Sequence, residues 1–516
     1  MSMFKWDVVD PGPGEAVAPH QRLAWGKTVG LGAQHVVAMF GATFVFPIVM
    51  GLNANLAIMM SGIATICFLL IVKGKVPSYL GTSASFVGGA AAIYAQGGGP
   101  ADVTGAIMVS GIVLALVGVA IHFAGPGFVN NLLPPVVTGA VVMLIGFNLC
   151  RVATGIYMPA DRWVALLTMF AVILMAVGLK GFFGRIAIFL GLIFGFVLSL
   201  LFDAIGVGGV EGDRVNWDNV KSADWLGFPP HTAEGLVGNQ SPFTGGENYA
   251  LVGWHLPSLS ITFTLLALPA VIALVAENMG HVKAVSGMTG QNLDPMMGRA
   301  VAADGVGTTL ASFVGGSPTT TYAENIGVMA ATRVYSTAAY FVAAGVAILF
   351  GFVPKFGALV ATTPSGVLGG ITLVLYGMIG LLGAKIWVEN KVNFANPVNL
   401  VPVAAGLTMG IGLADNAFFN ITSDFPLGGI AMGTLIIVFG YHLARVVARA
   451  AGTDHDAGAV IAVGDEGAHR TTGHAHDHAH DHAHDHAHDH AHGDHSHDHA
   501  HDHAHDHPHT HDDETK

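Results

Sequence analysis

Residues 317–333 read SPTTTYAENIGVMAATR. Pro318 and the β-branched run Thr319–Thr321 disfavour helix and favour an extended strand. From Ile326 the residues turn apolar and helix-compatible, and Asn325 is placed to cap a short helix there. The stretch predicts a strand followed by half a helix, with the Glu324 carboxylate at the joint.

What such a break means depends on its surroundings. The chain has 516 residues, 52% of them hydrophobic and 11% charged, too apolar and too charge-poor for a soluble protein of this length. Apolar runs of spanning length lie near 28–50, 54–72, 103–124, 135–150, 162–179, 184–206, 257–283, 299–314, 336–352, 365–383, 397–414 and 427–447. Two more, 77–95 and 317–334, are apolar but interrupted, for about fourteen spans in all. Before residue 454 there are 19 Lys and Arg, and that topology places 14 inside; only Arg151, Arg162, Arg214, Lys221 and Lys355 fall outside. Both termini are therefore expected in the cytoplasm and the chain in a bacterial inner (plasma) membrane. The N-terminus has no apolar core of a cleaved signal peptide, so the first span is expected to direct insertion. Residues 1–453 balance 19 acids against 19 bases, so the formal charge of −13 belongs to the tail, and no basic patch suggests nucleic acid. Cys67 and Cys150 fall in predicted spans and read as packing residues.

The halves of the chain echo each other. NNLLPPVVTGAVVMLIGFNL (130–149) resembles VATTPSGVLGGITLVLYGMIGL (360–381), and the interrupted segments PSYLGTSASFVGG (77–89) and SPTTTYAENIGV (317–328) are separated by a similar offset. Each interrupted segment is third in a set of seven. Seven is odd, so consecutive copies are inverted in the membrane. The expected fold is an all-α polytopic membrane protein of two inverted seven-span repeats, with short β-strands in two broken spans. Its expected parts are a cytoplasmic N-terminus (1–26), a first repeat (27–206), an extracytoplasmic loop (207–256), a second repeat (257–450) and a disordered tail (451–516). Non-helical backbone at membrane depth survives only in protein or beside a cavity, so the two breaks point to a central site.

Acids within spans are functional candidates. In LVAENMGHVKA (274–284), Glu277 and His281 are four apart on one helix face. The plainer alternative ends the span at Ala276 and leaves Glu277 among headgroups; Lys283 and Arg299 argue against it by marking the cytoplasmic end further on. Glu324 could merely complement a helix dipole. Asp304 reads as an inward-facing acid, a ligand contact or a structural one. His35, beside Gln34, reads as an interhelical donor or a substrate contact, and His122 and His442 as interfacial. Two glutamates, a histidine and exposed backbone amides complement a planar heterocycle: carboxylates accept from ring N–H groups and backbone N–H groups donate to ring carbonyls. One buried glutamate could also bind and release a proton.

ENIGVMAATR (324–333), the pair Gln34–His35 and AENMGH (276–281) resemble the motifs of the nucleobase–ascorbate transporter (nucleobase:cation symporter) family. The likeness runs from about residue 20 to 450 and is greatest to bacterial uracil and pyrimidine permeases, through HVVAMFGAT, VPSYLGTSASFVGG and GHVKAVSGMTGQNLDPMMGRA. It implies a dimer of fourteen-span subunits, each a core (spans 1–4 and 8–11) and a gate (5–7 and 12–14). It implies that Glu277 and Glu324 bind a nucleobase, that His281 joins Glu277 in proton coupling, and that Ala42, Ala84, Phe86 and Ala323 line the pocket, supported by Gln34, His35, Asp304 and Asn325. Uracil permeases of this type can carry Phe at the Ala84 position and Gly at the Ala323 position, and Asp304 resembles the acid of purine-transporting members. Proton-driven uptake of a pyrimidine is thus expected, without enzyme chemistry or a bound cofactor, and a xanthine or uric acid permease is the alternative.

From Gly473 the chain is a His/Asp repeat with 19 histidines between His474 and His511. It cannot bury a core and is expected to be disordered. His474, His476, His478 and His480 can bind divalent metal, which raises a rival reading, a metal-ion transporter with a histidine-rich buffer. An anion carrier of related architecture would instead favour a neutral or cationic centre.

Overall fold

The computed structural model describes residues 4–12, 15–125, 127, 131–207, 213–229, 252–413, 419–422, 425–427 and 429–453. The histidines His474, His476, His478 and His480 lie outside the described residues, as do 208–212 and 230–251 of the expected loop. Helix dominates. The principal helices are α1 Trp25–Val49, α2 Ala54–Ile71, α3 Val87–Ala95, α4 Pro100–Ala124, α5 Pro135–Asn148, α6 Arg162–Gly178, α7 Ala187–Ile205, α8 Pro269–Thr289, α9 Met297–Phe313, α10 Ala323–Thr332, α11 Thr337–Gly351, α12 Ser365–Glu389, α13 Pro397–Gly412 and α14 Gly429–Ala451. Among the described residues eight helices are long and apolar enough to cross a membrane, counting the short helix Ile261–Ala267 with α8, or nine if α11 and Pro354–Ala361, bent by 81°, form one span.

Helix starts follow the local chemistry. Asn53 and Asp161 accept from the backbone N–H of Leu56 and Val164 and so cap α2 and α6. Asp102 turns back to the N–H of Gly99 at the head of α4. In lipid there is little hydrophobic drive between helices, so close approach of small residues carries the packing. Helices α4 and α9 meet along such a seam: a Cβ on Gly118 would collide with the backbone of Ala302, and one on Gly305 with that of Ala115. Helix α2 packs on α9 and α11, and α1 on α11; a second set joins α5, α6 and α7 to α12, and α13 to α14 and α5. Contacts of α1 with α7 and of α8 with α5 and α14 tie the two sets together.

Before α1, strands β1 (Asp7–Val8) and β2 (Gln21–Arg22) pair in parallel. Within the bundle, β3 (Leu80–Thr82) leads through a 3-10 turn, Ala84–Phe86, into α3, and β4 (Thr319–Thr321) leads into α10. Strands β3 and β4 pair antiparallel with Leu80 opposite Thr321, Gly81 opposite Thr320 and Thr82 opposite Thr319. Two further bonds extend the ladder, Ser83 N–H to the Pro318 carbonyl (2.9 Å) and Tyr322 N–H to the Tyr79 carbonyl (3.1 Å). A two-stranded sheet leaves two outer edges, which apolar surroundings cannot satisfy. Neighbouring helices supply hydroxyls for them. Thr65 of α2 accepts from Leu80 N–H (2.9 Å); Thr308 of α9 accepts from Thr319 N–H (3.2 Å) and donates to its carbonyl (2.8 Å).

Candidate functional site

The antiparallel sheet brings the starts of α3 and α10 to one place, between α1 and α8. Helix α10 starts earlier than the sequence suggests. Its N-cap is Tyr322, with extended backbone and no side-chain cap, so Asn325 sits inside the first turn and does not cap a helix at Ile326. The bonds of Tyr322 explain the shift: its hydroxyl donates to the Thr82 carbonyl (2.7 Å) and accepts from Thr43 of α1 (3.2 Å), so the chain turns into helix as soon as the sheet ends. The first helical bond joins Ile326 N–H to the Tyr322 carbonyl (3.2 Å). The N–H groups of Ala323, Glu324 and Asn325 are therefore without intrahelical acceptors, and Glu324 lies among them.

Helix α8 runs unbroken past Ala276 to Thr289, so Glu277 is inside a helix and not at its end. Glu277 and His281 are half-buried, Gly280 between them is exposed, Glu324 is half-buried and Ala323 exposed. These residues line an opening in the bundle. Helix α8, which carries Glu277, packs against α9, which carries Asp304, and against α10, which carries Glu324. Asp304 itself is fully buried; its Oδ2 accepts from Asn278 Nδ2 (2.6 Å), and its Oδ1 is one of the buried polar atoms without a partner.

The other expected site residues divide. Ala84 is half-buried beside the opening. Phe86 is fully buried within the main hydrophobic core, and Ala42 nearly so. Gln34 is half-buried, while His35 is buried and held by Asn325, whose Nδ2 donates to the His35 carbonyl (3.0 Å) and approaches Nδ1 (3.2 Å). The His35 ring lies 4.5 Å from that of Tyr340. His35 is thus an interhelical tie between α1, α10 and α11. His442 is half-buried against the Leu132 carbonyl (2.8 Å).

Sequence reasoning missed Thr321, Asn278, Tyr322 and the edge threonines Thr65 and Thr308. Hydroxyls in a broken span were the available signal, but only strand register decides which way each faces. Among the described residues no three His, Cys, Asp or Glu side chains are grouped to hold a metal ion. What the opening offers instead is carboxylate oxygens that accept and backbone N–H groups that donate, a pattern suited to a small polar ring.

Known proteins resemble this chain over most of its length. The putative pyrimidine permease RutG of Escherichia coli K12 is 42% identical over 426 residues, 81% of this chain and 89% of that protein. The uracil permease of Bacillus subtilis strain 168 is 33% identical over 423 residues, 79% of this chain and 90% of that protein. Among solved structures, the transmembrane domain of the cyanobacterium bicarbonate transporter BicA matches with a TM-score of 0.50 at 14% identity, over 81% of this chain and 96% of that one. That likeness concerns the fold. A model described as a permease family matches residues 26–417, and the chain belongs to that family, the nucleobase–ascorbate transporters, as a multi-pass membrane transporter and not an enzyme.

Proposed function

We propose that this protein imports a nucleobase, uracil or a related pyrimidine, by proton symport across a bacterial inner membrane. The observation that carries the substrate class is the packing of α8, which carries Glu277, against α10, whose first turn carries Glu324 and free backbone N–H groups, acceptors for ring N–H beside donors for ring carbonyls. In this reading Glu277 and Glu324 hold the base, Ala84 and Ala323 border it, and Glu277 with His281 carries the proton. A protonated Glu277 is neutral, which lowers the cost of moving the loaded site past the opposing helices; deprotonation on the cytoplasmic side releases proton and base together.

We read the architecture as fourteen spans in two inverted repeats, both termini cytoplasmic, two subunits forming a dimer. The helix contacts support the repeats: α2 on α11 mirrors α9 on α4, α1 on α7 mirrors α8 on α14, and α12 on α6 mirrors α5 on α13. The edge hydroxyls Thr65 and Thr308 are likewise on matching helices. A purine substrate is a second reading, supported by Ala84, a methyl where uracil permeases can carry a phenyl ring.

The test is uptake of labelled uracil into proteoliposomes under an imposed pH gradient, with thymine, xanthine and uric acid as competitors. Uracil and thymine should compete best, and a protonophore should abolish accumulation. Uptake that ignores the protonophore but follows a Na⁺ gradient would refute proton coupling, and preferential competition by xanthine or uric acid would select the purine reading.

A further inference from the structure

We propose that Asn278 and Thr321 are positioning residues that fix His281 as its Nδ1–H tautomer, so that Nε2 carries the lone pair and is the atom that meets an incoming proton or a substrate N–H. The proposal rests on the transport reading for its role but on hydrogen-bond geometry for its content. Four groups from three elements form one chain: His281 Nδ1 to Thr321 Oγ1 (2.6 Å), Thr321 Oγ1 to Asn278 Oδ1 (3.3 Å), and Asn278 Nδ2 to Asp304 Oδ2 (2.6 Å).

The direction of the chain follows from what each group can do. Asn278 Nδ2 also donates to the Leu274 carbonyl (3.0 Å), an obligate acceptor. A flipped amide would face that carbonyl and Asp304 with its own oxygen, so the orientation of Asn278 is determined. Its Oδ1 then needs a donor, because Asn278 is fully buried and an unpaired buried acceptor costs about 1–3 kcal/mol. The Thr321 hydroxyl is the donor within reach, and it has one proton. With that proton on Asn278, Thr321 Oγ1 can only accept from His281, so Nδ1 carries the hydrogen. His281 Nε2 has no protein partner among the described residues and is not among the buried unpaired atoms. It is the nitrogen left for the opening.

The arrangement gives Asp304 a part without contact to substrate. It orients Asn278, Asn278 orients Thr321, and Thr321 orients the histidine. The strand register supplies the geometry, since pairing Thr321 opposite Leu80 sets the face of the sheet from which its side chain reaches His281 and Asn278.

The experiment is 15N spectroscopy of the full chain in lipid, labelled at histidine and recorded without substrate, with the His281 signals identified by difference against His281→Gln. The expected pair is a protonated Nδ1 and an unprotonated Nε2. In Thr321→Val the preference should be lost and uracil binding should weaken roughly threefold to tenfold, the worth of one hydrogen bond; Thr321→Ser should restore both. A protonated Nε2 in the native chain overturns the proposal, as does an unchanged tautomer in folded Thr321→Val protein. The native spectrum alone decides the tautomer should that variant fail to fold. Because the tautomer is read without substrate, its failure and that of the nucleobase reading are separable.

Discussion

Helices α3 and α10 begin on opposite strands of one small sheet, yet they differ at both ends. The turn before α3 presents Ser83, Ala84 and Ser85 and has no acid, whereas α10 has Glu324 in its first turn. At the far end α3 runs into Gln96 and Gly97, whose N–H groups return to carbonyls of α3 itself, while Tyr94 of its last turn donates to the Met50 carbonyl (2.9 Å). Helix α10 ends at Arg333 in the left-handed conformation, and the N-terminal segment holds it there: Val17 N–H donates to the Arg333 carbonyl (2.9 Å) and the Val17 carbonyl accepts from Tyr335 N–H (2.8 Å). Trp6 and the Pro19 carbonyl both bond Thr337, and Val17, Leu23 and Val334 form a small apolar cluster. The two half-helices share a scaffold that offers backbone donors; a carboxylate and a clasp by the N-terminal segment were added to one. A ligand gains orientation from such asymmetry, since only one side of the site carries a carboxylate acceptor.

The sharpest break in the comparison is Glu324→Gln, which makes the start of α10 as neutral as that of α3. An amide meets a ring N–H with a single oxygen and no charge, so uracil affinity should fall roughly tenfold to a hundredfold by calorimetry, with folding intact. Unchanged affinity would remove Glu324 from the site. The strand edges come next. Thr308→Val unpairs both backbone groups of Thr319 and should cost about 2 kcal/mol, against about 1 kcal/mol for Thr65→Val, whose main duty is one N–H. Thermal denaturation in detergent should rank the two in that order, and equal losses would mean that the edges are equivalent after all.

A smaller effect is expected at the far end of α10. Val17→Pro removes one donor to Arg333, worth about 1 kcal/mol, so amide exchange in residues 326–337 should rise roughly fivefold while residues 84–97 stay unchanged. Equal protection in the native chain and in Val17→Pro would show that the N-terminal segment does not anchor α10. The smallest effect is expected from truncation at residue 473, which leaves both half-helices and every described contact in place; nucleobase uptake should be unaltered, and its loss in well-expressed protein would favour a role for metal on the tail.

The class, the breaks and the main acids were legible in the residues alone. Composition and run length demanded a membrane bundle, Pro318 and three consecutive threonines demanded extended backbone, and the spacing of Glu277 and His281 put both on one helical face. These are local properties, written in a few adjacent residues. Which groups meet is a property of the assembled fold. The start of α10 moved from Ile326 to Ala323 because Tyr322 found Thr82 and Thr43 across the sheet. Asn325 became a tie to His35, and an N-terminus read as a cytoplasmic lead became a clasp on Arg333. Thr321 faces His281 and Asn278 because β4 pairs with β3 in one register. A slip of one residue would turn every side chain of that strand to the other face, and periodicity along the chain has no knowledge of a partner strand some 240 residues away.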